Sequence, residues 1–303
     1  MNGWDPGKVR EKNKIHAVFR LIRIEHTLFS LPFAYAGAIL SGYNFTLRDA
    51  VLIGLALFGL RTAAMAYNNI ADLDIDRLNP RSSRRPLVTG VLSVKDAYLV
   101  VLIGTVLYYL SAALLNKYAL LFSPILWLLA MTYPYAKRLH WLPHIHLGLV
   151  LGYAVFGGAV AASGDELTSI CSVLASVPWS YVFGVTFWVA GFDVIYSIMD
   201  IDFDRAHGLG SVPARLGVRG AFFASLLFYF LAGFFFLYGL WEYRALTGGL
   251  TLISTLLGIT LMITSWLIAY KDLDKIPVSF NLNLLVGILV SIGVILDYLK
   301  SLV

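Results

Sequence analysis

Nine stretches of this 303-residue chain are each about 20 residues long and almost wholly apolar, and that pattern leaves few folds open. They cover roughly 27–45, 49–70, 93–115, 118–136, 145–163, 172–199, 219–241, 247–270 and 278–300. A helix needs about 20 such residues to cross a bilayer. The pattern therefore predicts an all-α, polytopic membrane protein built as a bundle of nine transmembrane helices. A membrane β-barrel would need alternating segments of about 10 residues, which these runs are not. Composition agrees. The chain is 59% hydrophobic and only 14% charged, where an ordinary soluble domain carries about 25% charged residues. A soluble enzyme, a disordered protein and a nucleic-acid-binding domain are excluded on that ground. No linker is rich enough in Pro, Gly or Ser to suggest a second domain, so residues 1–303 read as one unit.

Charge then sets direction. Eighteen of the 23 Lys and Arg residues fall on one side of the nine spans, among them Lys8, Arg10, Lys12, Arg81, Lys137 and Arg215. By the positive-inside rule that side is cytoplasmic, so the protein is expected in the cell membrane with its N-terminus inside. Residues 1–26 become a cytoplasmic segment, and 71–92 and 200–218 become cytoplasmic loops. The polar start of the chain and its late first apolar run argue against a cleaved secretory leader. The single cysteine, Cys171, offers neither an internal disulfide nor a zinc pattern.

Seven of the 18 acids crowd into two short stretches at the cytoplasmic ends of spans 2 and 6. The first, NNIADLDIDR, holds Asn68, Asp72, Asp74 and Asp76. The second, DVIYSIMDIDFDR, holds Asp193, Asp200, Asp202 and Asp204. On a continuous helix Asn68, Asp72 and Asp76 share one face within about 80°, while Asp74 and Asp202 point elsewhere. Arg61, two turns earlier, lies on the same face as Asn68 and needs an acidic partner there; a bracing salt bridge and a phosphate contact are both open to it. The hexapeptides DLDIDR (72–77) and DIDFDR (200–205) are alike, which hints at an internal duplication of spans 1–4 in spans 5–8 with span 9 extra.

Stacked carboxylates near a bilayer are costly unless cations neutralise them. An oxygen-only donor set without Cys or His favours Mg²⁺, which commonly uses one or two carboxylates plus substrate phosphates. Bases crowd the same side: Arg77, Arg81, Arg84 and Arg85 after the first stretch, Arg205 and Arg215 after the second, Lys137 and Arg138 at the end of span 4. Acids and bases together suggest a metal-bound diphosphate. Each base taken singly is also explained as a topology signal. His140, His144 and His146 lack neighbouring Cys or acids and read as a loop and helix start rather than a metal cluster.

These motifs resemble those of the UbiA superfamily of intramembrane prenyltransferases. N-x-x-x-D-x-x-x-D at 68–76, followed by Arg85-Pro86-Leu87 and Gly90, resembles its first motif. D-x-x-Y-x-x-x-D at 193–200, extended to Asp204, resembles its second, and Tyr133 with Lys137 resembles its Y-x-x-x-K element. Position 197 departs, carrying Ser where some members have an acid. RIEHTLFSLPFAYAGA at 23–38 and FDRAHGLGSVPARLG at 203–217 look like the quinone-pathway branch, which prenylates aromatic acceptors such as 4-hydroxybenzoate.

The resemblance implies Mg²⁺, with two ions bridging the diphosphate, held by Asn68, Asp72, Asp76, Asp200 and Asp204 with Asp193 in support. It implies catalytic roles for Asp72, Asp76, Asp200, Asp204, Tyr133 and Tyr196. Diphosphate contacts are expected from Lys137, Arg138, Arg77, Arg84, Arg85 and Arg215. Arg23 and Arg61 are candidates for the acceptor, and His26 beside Glu25 is placed to assist proton loss. The substrates would be a polyprenyl diphosphate, geranyl or longer, and an aromatic or other lipophilic acceptor reached through the bilayer, with no nucleic acid. A glycerol-phosphate acceptor, as in ether-lipid synthesis, would use the same metal site. CDP-alcohol phosphotransferases expect a D-G-x-x-A-R start that is absent here. A cation transporter would carry its acids near the midplane, not at helix ends among bases.

Overall fold

The computed structural model describes residues 14–302; the side chains of 24–29 lie outside that description, and with them the expectations for Glu25 and His26. Lys8, Arg10 and Lys12 also lie outside the described residues. The described residues form helices and no strands: α1 (Lys14–Ile22), α2 (Ile24–Leu40), α3 (Leu47–Ala71), α4 (Leu73–Leu78), α5 (Val94–Leu115), α6 (Lys117–Thr132), α7 (Ala136–Leu139), α8 (Pro143–Ser163), α9 (Ile170–Ala175), α10 (Trp179–Tyr196), α11 (Ile201–Ala206), α12 (Val212–Glu242), α13 (Gly249–Lys271) and α14 (Ile276–Ser301).

Among the described residues eight helical stretches are long and apolar enough to cross a membrane. They lie on α3, α5, α6–α7, α8, α10–α11, α12, α13 and α14, following the last eight sequence spans. The first span of the sequence reading falls on α2, which is 17 residues long; its apolar described part is Ser30–Leu40.

The packing inverts the rule for soluble proteins. On α5 the residues turned inward include Ala97, Gly104, Ser111 and Ala112, whereas Leu99, Leu102, Ile103, Val106, Leu110 and Leu114 are exposed. Small residues let backbones approach, and large apolar ones face lipid. Close approach is extreme where α2 meets α8. A Cβ at Gly158 would sit 1.8 Å from the Ala34 carbonyl oxygen, so only glycine fits. That contact joins the two halves of the bundle. α10 is the most enclosed of the long helices, and its lower end carries the second acidic stretch.

Helix starts follow local chemistry. Thr46 with Asp49 and Ser93 with Asp96 form reciprocal capping boxes on α3 and α5. Asn116 caps α6, and its amide also donates to the carbonyls of Val160 and Ala161, fastening α6 to α8.

Candidate active site at the paired helix ends

The two acidic stretches do not continue their helices. α3 ends at Ala71, and Asp72 takes φ −96°, ψ 4° before α4 begins. α10 ends at Tyr196, a 3-10 turn covers Ser197–Asp200, and Asp200 takes φ −107°, ψ 7° before α11 begins. The continuous helical face expected from spacing is thus broken in both places. It survives in part because backbone bonds Asp72 N–H to Asn68 O (3.0 Å) and Asp76 N–H to Asp72 O (2.7 Å) keep the three side chains in sequence along one side. The same break occurs at the same letter of DLDIDR and DIDFDR, and four residues later each has a buried acid, Asp76 and Asp204. Asp74 and Asp202 are exposed.

Each of the six inward acids and amides has a specific partner. The Asn68 amide donates to Asp72 at 3.3 Å. Asp76 pairs with Arg85 and accepts from the Ser82 side chain. Arg138 lies 3.7 Å from Asp72 and 3.1 Å from Asp74, and donates to the Ala71 carbonyl at 2.7 Å. Its chain neighbour Lys137 lies 3.4 Å from Asp204, which also accepts from Ser211. Arg81 crosses from the first loop to the second stretch, donating to Asp200 at 2.5 Å and to the Tyr196 hydroxyl at 3.0 Å. Asp193 accepts from His144 at 2.7 Å. Arg81 and the Lys137–Arg138 pair therefore bind the two stretches into one cluster.

Electrostatics within the cluster are tense. Burial first, and then the neighbouring Asp76 charge, push the Asp72 carboxyl up to about 6. Burial also raises Asp76, against the pull of Arg85. Tyr133, one turn before Lys137, meets the His146 ring edge-on at 5.8 Å. The Tyr196 ring meets Phe280 at 4.6 Å, and Phe280 meets Phe192 at 5.7 Å, so an aromatic wall descends from Asp200 into the bundle.

Other residues singled out by the sequence have different surroundings in the structure. Arg77 is exposed and makes no ion pair among the described residues. Arg84 offers its carbonyl to Arg20, and Arg215 stacks over Trp141 at 4.8 Å. Arg61 has no acidic partner among the described residues, and its buried Nε has no hydrogen bond. The reason is directional: a helical side chain leans toward the helix N-terminus, and here the acids lie at the C-terminal end. Arg23 joins α1 to α2 in a left-handed conformation (φ 46°), and its charge acts on Asp76 and Tyr133. Residues the sequence did not single out are Arg81 among the four loop arginines, Ser82, Ser211 and above all His144.

The donor set is one of carboxylate and amide oxygens, the kind that Mg²⁺ takes. Among the described residues no three His, Cys, Asp or Glu side chains converge as a self-sufficient metal site. Mg²⁺ does not require one, since it takes one or two carboxylates and completes its shell with water and phosphate. Two facing sets of oxygen donors, one with a carboxyl held up to about 6 beside a second acid, fit that demand. Farther into the bundle, a small apolar cleft of about 90 Å³ opens among α2, α3, α5, α6 and α8, with Leu129, one turn from Tyr133, in its lining.

Residues 30–286 match the UbiA prenyltransferase family. A 4-hydroxybenzoate octaprenyltransferase of Francisella tularensis subsp. novicida is 27% identical over 225 residues, 73% of this chain and 76% of that protein. The apo structure of a UbiA homologue from Aeropyrum pernix K1 superimposes with TM-score 0.87 at 58% identity, covering 90% of this chain and 98% of that one. A UbiA homologue from Archaeoglobus fulgidus, bound to GPP and Mg²⁺, superimposes with TM-score 0.67 at 21% identity over 95% of this chain and 100% of that one.

Proposed function

The chain belongs to the UbiA prenyltransferase family, and from that premise we propose that it transfers a prenyl group from a polyprenyl diphosphate to an aromatic acceptor in quinone biosynthesis, with Mg²⁺ and at the cytoplasmic face of the cell membrane. The carrying observation is the shared set of bases between two acidic stretches: Arg81 on Asp200, Lys137 on Asp204, Arg138 on Asp72 and Arg85 on Asp76. α2 supplies the first of the nine spans in this reading, supported by its tight seat on α8.

Asn68, Asp72 and Asp76 on one side and Asp200 and Asp204 on the other would hold two Mg²⁺ ions, with Asp193 in support. Bound there, Mg²⁺ neutralises charge on the diphosphate as it departs. Arg81, Arg85, Lys137 and Arg138 stand within reach of the same space and take the remaining phosphate oxygens. The prenyl C–O bond breaks with its electron pair leaving on the diphosphate, which creates an allylic cation. The Tyr196–Phe280–Phe192 rings offer their faces to that cation. The apolar bundle withholds water that would quench it. A carbon of the electron-rich ring then bonds to the cation and loses its proton. The apolar lining of the cleft at Leu129 suits contact with the carbons of a prenyl chain, and Arg23, whose charge acts on Asp76, suits an acceptor carboxylate.

Mass spectrometry of products from purified protein, offered prenyl diphosphates of several lengths with aromatic and glycerol-phosphate acceptors, tests this reading. A Mg²⁺-dependent prenylated aromatic supports it; transfer to the glycerol acceptor alone contradicts it. Orientation has its own check. Cys171 is the single cysteine and is exposed, on the side opposite the acids. A membrane-impermeant maleimide should label it in intact cells, and labelling only after lysis would invert the topology.

A further inference from the structure

His144 is the second residue of α8 and is wholly buried. Its Nδ1 lies 2.7 Å from Asp193 Oδ2. Its Nε2 lies 3.2 Å from the backbone nitrogen of Val212. The second contact decides the first. A backbone N–H can only donate, so Nε2 must accept, and the ring proton therefore sits on Nδ1 and is donated to Asp193. The imidazole thus joins three separated segments: the start of α8, the lower end of α10, and the first turn of α12. Val212 follows Ser211, whose side chain holds Asp204. Close by, the Gly210 N–H donates to the Lys137 carbonyl at 2.6 Å.

We propose that His144 is a positioning residue, fixing the orientation of the Asp193 carboxylate toward the cation-binding cluster by a single enforced tautomer. The inference rests on the reading of these acids as the site of a divalent cation. It assigns to His144 the outer-shell role that elsewhere tunes metal ligands, where loss typically costs about 10–100-fold in affinity or activity. One carboxylate oxygen of Asp193 is occupied by the neutral ring, and among the described residues no Lys or Arg forms an ion pair with it.

Two conservative substitutions separate positioning from mere packing. His144→Asn keeps a donor near Nδ1, facing Asp193, and loses the acceptor for Val212. His144→Gln keeps an acceptor near Nε2, facing Val212, and loses the donor to Asp193. The measurement is Mn²⁺ binding to the purified full chain by electron paramagnetic resonance, with a non-hydrolysable prenyl thiodiphosphate present, alongside the thermal midpoint. His144→Ala should weaken Mn²⁺ binding about 10-fold or more. His144→Asn should restore it to within a few fold and His144→Gln should not. Unchanged Mn²⁺ binding in His144→Ala, or rescue by Gln in place of Asn, overturns the proposal while leaving the metal reading intact. Absence of Mn²⁺ binding by the unaltered protein overturns both.

Discussion

The two acidic stretches have like hexapeptides, the same backbone break and a buried acid, yet they are braced differently. The first is held partly by its own loop, where Asp76 pairs with Arg85 nine residues on and with Ser82, and partly from afar, where Arg138 reaches Asp72 and Asp74. The second is held from afar. Asp193 depends on His144, Asp200 on Arg81 and Asp204 on Lys137, at sequence separations of 49, 119 and 67 residues. A local brace forms whenever its loop forms. A remote brace exists only once the whole bundle is packed. The second stretch therefore depends on the packed bundle for each of these ion pairs, and the first for only part of its own.

The largest expected effect falls on the buried acids. Asp76→Asn and Asp204→Asn should each slow prenyl transfer about 10²–10³-fold, the usual loss on removing a major electrostatic stabiliser. If only one of them matters, the two stretches are not partners. Arg81→Ala comes next, with a loss of about 10–100-fold, because it removes the brace on Asp200 together with one proposed phosphate contact. Arg81→Lys should not restore full rate, because a lysine cannot make both the Asp200 and Tyr196 contacts in the planar geometry seen here. Equal rates for Arg81→Lys and the unaltered protein would remove Arg81 as the link.

Gly210→Ala sharpens the comparison from the side of the second stretch. A Cβ there would sit 2.3 Å from the His140 carbonyl oxygen, forcing the loop off Lys137. Overpacking of this kind costs about 1–3 kcal/mol. Thermal unfolding should detect it, while Asp76 and Arg85 stay paired. The smallest effect concerns pH. The Asp72 carboxyl is raised to about 6, so in that window the folded protein keeps a proton that the unfolded chain has already released. Stability without added metal should therefore fall as pH rises from about 4 to about 6. Mg²⁺ needs the ionised acid, so the Mg²⁺ concentration for half-maximal rate should rise as pH drops below about 6. A flat Mg²⁺ requirement from pH 5 to 7 would contradict this.

Much of this architecture was legible in the apolar runs, because span length is dictated by the bilayer and not by neighbours. The acid positions were legible too, since carboxylates are scarce in such a chain. The breaks at Asp72 and Asp200 were not: neither has a Pro or Gly beside it, and both follow from tertiary pairing. One of four loop arginines crosses to Asp200, and spacing alone does not choose it. His144 looked like a loop residue because its acid is 49 positions away. Arg61 shares the acids' face in projection, but its side chain leans the other way along the helix.

The central claim is that both stretches act on one diphosphate. Prenyl-transfer rates of purified Asp72→Ala, Asp200→Ala and the double variant, at saturating Mg²⁺, test it most directly. Groups that act as a unit are grossly non-additive. Each single variant should therefore lose nearly as much rate as the double variant. Single losses that multiply to give the double loss would mean two independent sites, and would contradict the account.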